Sequence, residues 1–351
     1  MTMDEDDARA SGRRPRSSGR VTLAEVAAVA GVSPITVSRA LRGERGVAEP
    51  LVARVREAVD RLGYVPDPAA RALASSRSSH VAILVPLLSN TLFVDLLEAA
   101  HRTLLPAGYQ TLIGVTHYDP REEETLLRDQ MMHRPAGLLV TGFDRSDGAR
   151  ALIHRSGVPC VHLMETSAEA GLHSVGFSQV AAGRAITQHL LDRGYRRIAF
   201  AAAQLDPRTL QRGDGWRDAL REAGRLPTAQ ELLRPERSSL SLGAEMFEQL
   251  MRPRDGMPPP DAIFFCNDDL AQGALLAALR LGIRVPQDVA VAGFNDLTGS
   301  DQMLPPLTTV RTPREAIGRT AAELLLKLMR GDAVPPGAID VGYEVVVRGS
   351  A

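Results

Sequence analysis

From His80 onward, short apolar runs alternate with helix-length segments, and few folds accommodate that rhythm. The runs VAILVPL, YQTLIGV, GLLVTG and PCVHLM are separated by TLFVDLLEAAHRTLLPAG, REEETLLRDQMMH and ALIHRSG. A second set follows: AAGRAITQHLLDRG, RIAFAAA, RGDGWRDALREAG, a helix around GAEMFEQLM, DAIFFC, DLAQGALLAALRLG and VAVAGFND. Strand–helix alternation builds a parallel sheet with helices packed on it, so two doubly wound α/β subdomains are expected. A chain of 351 residues has room for this body and a separate head of some tens of residues.

Doubly wound sheets bind ligands at the carboxyl ends of their strands. That rule singles out Ser89-Asn90, Met164-Glu165, Asn267-Asp268 and Asn295-Asp296, each directly after an apolar strand. Asn and Asp in such places are also ordinary helix caps, and Asp269 is read as one. Four such loops together with Arg208 and Arg212, in LDPRTLQRGDGW, favour a ligand cleft over four coincidental caps.

The head carries the strongest local signals. Thr22, with Glu25 three residues on, has the spacing of a capping box, and Leu23, Val26, Ala27 and Ala30 form an apolar face behind it. Gly31 ends that helix, and Ser33 caps a second whose first position is Pro34, where a missing amide costs nothing. Val37, Ala40 and Leu41 form the buried side of the second helix, leaving Ile35, Thr36, Ser38 and Arg39 outward, as a recognition helix presents itself to a major groove. A third helix in PLVARVREAVDRLGY puts Leu51, Val52, Val55, Val59 and Leu62 on one stripe and stops at Gly63. A capped helical hairpin also occurs in proteins that bind no DNA, so charge has to be weighed beside it.

Net charge is −1, but it is unevenly spread. Residues 9–79 carry thirteen Arg against six acids, a balance of +7, whereas the part after Ser79 comes to −4. A basic head on a mildly acidic body is the electrostatic footprint of a protein that holds nucleic acid by one end. No apolar run approaches the roughly 18–20 residues needed to cross a bilayer, and residues 1–20, expected as a disordered tail, lack the apolar segment of a secretory signal. A cytoplasmic, soluble protein is the expectation. Cys160 and Cys266 sit among apolar residues, which favours buried thiols over a disulfide or zinc site. No Walker loop, dinucleotide turn, G-x-S-x-G or H-E-x-x-H occurs, and the eight His are scattered. Neither an enzyme nor a metal or cofactor site is expected.

LAEVAAVAGVSPITVSRAL and LGYVPDPAARALA closely resemble the head and hinge of the lactose-repressor family, and the likeness runs through nearly all of the chain. The resemblance implies a sequence-specific, effector-controlled transcriptional repressor, a homodimer on a palindromic double-stranded DNA operator. It places base reading on Pro34, Ile35 and Arg39, with Arg39 suited to guanine and the apolar pair to thymine methyls. Thr22, Ser33, Thr36 and Ser38 are the polar DNA-facing candidates. In the hinge it assigns Ala70 and Leu73 to the minor groove, Leu73 as the wedge that opens a base step. The expected division is a head over 21–65, a hinge over 66–79, and an effector-binding and dimerisation body over 80–351. Within the body, an N-subdomain covers about 80–176 and 310–340, and a C-subdomain about 177–309 and 341–351.

The pattern of SNTLF, GYQTLIG, LDPRTLQRGDGW, FFCNDDLAQGA and AGFNDL looks most like the gluconate-operon repressor branch. The candidate effector contacts are Asn90, Phe93, Met164, Glu165, Arg208, Arg212, Asn267, Asp268 and Asn295, and of these the resemblance itself puts Arg212 and Asn267 at ligand-binding positions. Sugar-binding relatives commonly carry Asp where this chain has Asn295, and a neutral amide beside two arginines favours an anionic ligand such as a sugar acid. A regulator responding to a neutral sugar or a purine is the alternative. A solute-binding protein would share the body but not the basic helical head. The chain ends soon after the strand-like YEVVVR with no leucine heptads, so no zipper-built tetramer is expected.

Overall fold

The computed structural model describes residues 21–41, 43, 46–65, 78–89, 91–225, 230–252 and 258–351. Met1–Ser76 and Arg77–Ala351 are two separately compact units.

In the first unit, α1 (Leu23–Ala30) begins at a complete capping box: the Glu25 amide donates to Thr22 Oγ1 at 3.3 Å, and the Thr22 amide donates back to Glu25 Oε2 at 2.6 Å. It stops at Gly31, whose φ of 62° lies in the left-handed region that glycine enters without a Cβ penalty. Ser33 Oγ accepts from the Thr36 amide at 3.2 Å and so starts α2 (Pro34–Leu41). The third helix, α3 (Glu49–Leu62), closes a small core of Val26, Ala27, Ala30, Val37, Ala40, Val55 and Ala58. Ala58 takes a place in that core, whereas Leu51, on the expected stripe, is half-buried and outside it.

The second unit holds two parallel sheets. Among the described residues the first has the order β11-β5-β4-β3-β1-β2, where β1 is His80–Val85, β2 Gln110–Val115, β3 Gly137–Thr141, β4 Cys160–Met164, β5 His173–Gly176 and β11 Gly337–Asp340. Val81, Ile83 and Val85 pack on one face beneath α4 (Thr91–Leu104) and α11 (Arg314–Arg330). Ala82 and Leu84 pack on the other beneath α5 (Pro120–Met132) and α6 (Asp147–Ser156). Burial on both faces is why these runs read as continuously apolar. The second sheet runs β7 (Glu231–Arg234), β6 (Ile198–Ala203), β8 (Ala262–Phe265), β9 (Ala290–Ala292). Its helices are α7 (Gln179–Asp192) against α8 (Pro207–Glu222), and α9 (Leu240–Met251) against α10 (Asp268–Leu281). The α7–α8 approach depends on Gly183 and Gly215: a Cβ on Gly215 would stand 2.0 Å from the Val180 carbonyl oxygen. No single helix among the described residues is long and apolar enough to cross a membrane.

The chain passes between the subdomains after β5, between β9 and α11, and between β11 and β12 (Glu344–Val346). There β10 (Thr309–Arg311) pairs antiparallel with β12. Arg314 ties the crossing to the first subdomain, donating from Nε to Asp95 at 2.6 Å and from Nη1 to the Asn295 carbonyl at 2.8 Å. The apolar runs did not mark β5, β7, β10 or β11. These are strands of three or four residues, β7 is mostly half-buried and β11 is exposed, so no long apolar stretch announces them.

Candidate functional site

A cleft of about 220 Å³ lies between the two subdomains of the second unit, walled by the carboxyl ends of strands from both sheets. Leu87 and Ser89 follow β1, Tyr118 follows β2, and Thr91, Leu92 and Phe93 open α4. From the other side come Gln204 and Asp206 after β6, Arg237 and Ser238 after β7, Asn267 and Asp269 after β8, and Asn295 and Leu297 after β9, with Thr209, Arg212, Gln272 and Thr298. Hydroxyls and amides dominate the wall, apolar patches are small, and the formal charges are those of Arg212, Arg237, Asp206 and Asp269.

Arg212 is the centre of this wall. Its Nε donates to Gln179 Oε1 at 2.8 Å, and its Nη1 donates to the Cys266 carbonyl at 2.7 Å and to Asn267 Oδ1 at 3.0 Å. The guanidinium lies 4.0 Å above the Phe294 ring. Burial pulls its pKa down and Asp206 pushes back, yet a guanidinium stays charged. Nη2 makes no hydrogen bond among the described residues, so a buried, oriented cation faces the cleft with donors to spare. Asn267 Oδ1 also accepts from Asn295 Nδ2 at 2.9 Å, and Asn295 Oδ1 accepts from Thr312 at 3.1 Å. Asn295 therefore sets the rotamer of Asn267 as well as lining the cleft.

Arg208, one turn earlier on α8, is placed differently from the sequence expectation. Its Nη1 reaches Asp144 and Glu165 of the first subdomain, each at 3.1 Å, and its Nε lies 3.1 Å from Asp206. Burial alone would lower its pKa, but Asp206, Asp144 and Glu165 together raise it. It lines no part of the cleft and clasps the two subdomains at the rim. Glu165 shares this fate, accepting from Arg208 and, at 2.9 Å, from Gln211. Met164 is buried, with a φ of 76°, and offers its carbonyl to Gln179 Nε2 at 3.0 Å, so it orients the partner of Arg212 rather than an effector.

Asp268 is a further correction. It is fully buried and accepts from Thr309 Oγ1 and the Leu297 amide, each at 2.6 Å, and from Ser300 at 3.0 Å, pinning the crossing segments. Burial pushes its pKa up to about 6 despite those donors. Asp269 faces the cleft in its place and is held by Ser238 at 2.7 Å. The two swap because α10 starts at residue 268, where successive side chains turn about 100° apart.

Phe93, Arg212, Asn267 and Asn295 line the cleft together; Asn90 lies outside the described residues. The sequence reading passed over Tyr118, Asp206, Thr209, Arg237, Ser238, Gln272 and Thr298. Tyr118 directly follows the β2 run and was within reach of the carboxyl-end rule. Arg237 and Ser238 were hidden because the charged ELLR of β7 gave no strand signal. Arg237 hydrogen-bonds Ser89 across the cleft mouth.

On the head, Pro34, Ile35 and Arg39 are exposed on α2, with Ile35 at 70%. Ser38 is half-buried, Thr22 is committed to the capping box, and Ser33 and Thr36 hydrogen-bond each other at 2.9 Å. Ala70 and Leu73 lie outside the described residues. Among the described residues no group of three His, Cys, Asp or Glu is placed to hold a metal.

Residues 22–67 match the family profile described as bacterial regulatory proteins, lacI family, and residues 187–351 match the periplasmic binding protein-like domain. The chain is 54% identical over 338 residues to the HTH-type transcriptional regulator GntR of Pseudomonas aeruginosa, which covers 96% of this chain and 98% of the relative. The crystal structure of transcription regulator GntR from Chromobacterium violaceum is 44% identical with a TM-score of 0.73, covering 77% of this chain and 98% of that one. The lac repressor dimer bound to operator and the anti-inducer ONPF is 26% identical with a TM-score of 0.83, covering 94% and 99%.

Proposed function

The chain belongs to the lacI family of bacterial regulatory proteins, and on that premise we propose that it is an inducible repressor, a homodimer released from a palindromic operator when a sugar acid such as gluconate enters the cleft. The observation that carries the ligand class is the spare Nη2 of Arg212, a buried cation aimed into a wall of hydroxyls and amides. A carboxylate there gains charge-assisted hydrogen bonds, while Asp269, Asn267 and Gln272 offer partners to a polyol chain. Arg208, neutralised at the rim, drops out of this argument, and Arg237 at the mouth takes its place as the second cation. The likeness to regulators named GntR supports the same ligand class. On the head, Arg39 reads guanine, and Pro34 and Ile35 meet thymine methyls.

An effector shifts operator affinity only by binding one form of the protein better than another. A cleft lined from both subdomains supplies that difference, because closure brings both walls to the ligand. Calorimetry of the full chain with gluconate, 2-ketogluconate, galactose and guanine, paired with operator-binding anisotropy, is the test. Heat from a sugar acid together with operator release is the expected result. Binding of galactose or guanine with no heat from either acid overturns the ligand class.

A further inference from the structure

A second cavity, of about 580 Å³, opens in the first subdomain beside α6, β4 and the segment leading into β5. Its size falls in the range of roughly 300–1,000 Å³ typical of small-molecule sites. It shares no lining residue with the cleft. Ile153, Val158 and Leu172 line it with apolar surface, and Phe143 stacks on His162 with ring centroids 4.5 Å apart and planes 17° from parallel.

His162 gives the cavity its polarity. The ring is 5% exposed, and its Nδ1 lies 3.0 Å from Nη1 of the buried Arg145. A guanidinium only donates, so Nδ1 accepts and the ring proton sits on Nε2. The Gly142 carbonyl lies 3.1 Å from the same Nδ1, but the Arg145 contact fixes that nitrogen as the acceptor. Burial and then the Arg145 charge push the His162 pKa down to about 4, so the ring is neutral in physiological conditions. Nε2–H has no hydrogen-bond partner among the described residues, although the ring is more than nine-tenths buried and lines the cavity. Nε2–H opens onto the cavity, where the acceptor of a bound ligand can take the place of solvent. Arg150, His154, Arg155 and His173 stand around the cavity against the single acid Glu169, and Arg155 makes no ion pair among the described residues.

We infer that this cavity is a second ligand site, taking a small aromatic carboxylate whose ring lies in the apolar pocket by Phe143, with an acceptor on His162 Nε2–H and its charge met by Arg155. Arg145 also holds the Thr141 and Gly142 carbonyls, at 3.2 and 3.0 Å, and the next residues along that loop are Phe143 and Asp144. The floor of the cavity and the Asp144–Arg208 clasp thus belong to one loop.

The test is calorimetry on the full chain with benzoate, phenylacetate and, as the uncharged control, benzyl alcohol. One aromatic acid should bind at least tenfold more tightly than the alcohol. Arg155→Ala should weaken it tenfold or more and Ala151→Phe, which fills the cavity, should abolish it, both with unchanged melting temperature. Arg212→Gln, altering only the cleft, should leave it unchanged, so the result stands whether or not the cleft takes a sugar acid. No heat from either acid at millimolar concentration, full retention in Ala151→Phe, or loss in Arg212→Gln overturns the assignment.

Discussion

The rim and the floor of the cleft are each built on an arginine of α8, and the two arginines differ in what surrounds them. At the rim, Arg208 meets Asp144, Glu165 and Asp206, so its charge is more than matched within the protein. At the floor, Arg212 rests on neutral acceptors and an aromatic face, so its charge remains available. A cation matched by carboxylates holds the protein together, and one resting on neutral acceptors keeps donors to spare. Side-chain identity alone does not separate those roles; the carboxylate count around each guanidinium does.

The sharpest way to break this contrast is Arg208→Ala. Three carboxylates would then converge without a cation, and breaking a buried pair in this way costs about 3–5 kcal/mol. Chemical denaturation should show a loss of that order, and effector affinity should fall with it because the subdomains lose their clasp. A variant with wild-type stability would mean the rim cluster is not structural. Arg212→Ala should do the reverse, costing about 1.5–3 kcal/mol of effector affinity, roughly ten- to a hundredfold, while operator affinity holds. Loss of operator binding in that variant would place Arg212 with the structural group.

Asp268 and Asp269 repeat the contrast in carboxylates, and pH separates them. Asp268 has a folded pKa of about 6 against the ordinary 3.8 of an aspartate, so between those values the native protein holds the extra proton. Stability therefore falls as pH rises from about 4 to about 6, by on the order of 1–3 kcal/mol. Asp268→Asn should flatten that part of a melting-temperature profile, and an unaltered profile would sink the assignment. The smallest expected effect is at Tyr118, where burial raises the phenol pKa well above its usual value. Tyr118→Phe should lower effector affinity by about 0.5–1.5 kcal/mol without moving the melting temperature. An equal loss of both would make Tyr118 part of the rim.

The head was legible residue by residue because its signals are local. Thr22 finds Glu25 three residues away, Gly31 turns the chain by its own φ, and Ser33 caps its own helix. The long buried strands were equally plain, since an all-apolar run such as β6 can only be covered on both faces. The short strands β7 and β11 were not, because pairing to a neighbour, rather than burial of their own side chains, makes them strands.

The sequence by itself determined the helix boundaries of the head, the doubly wound body, and several of the loops that wall the cleft, because caps, turns and apolar periodicity act over a few residues. Tertiary structure alone decided which side chain of each loop enters the cleft. Asp144 lies 64 residues from Arg208, Glu165 lies 43 from it, and Thr309 lies 41 from Asp268. Whether an arginine or aspartate is satisfied internally or left for a ligand depends on these distant partners, and only the packing of one sheet against another brings them together.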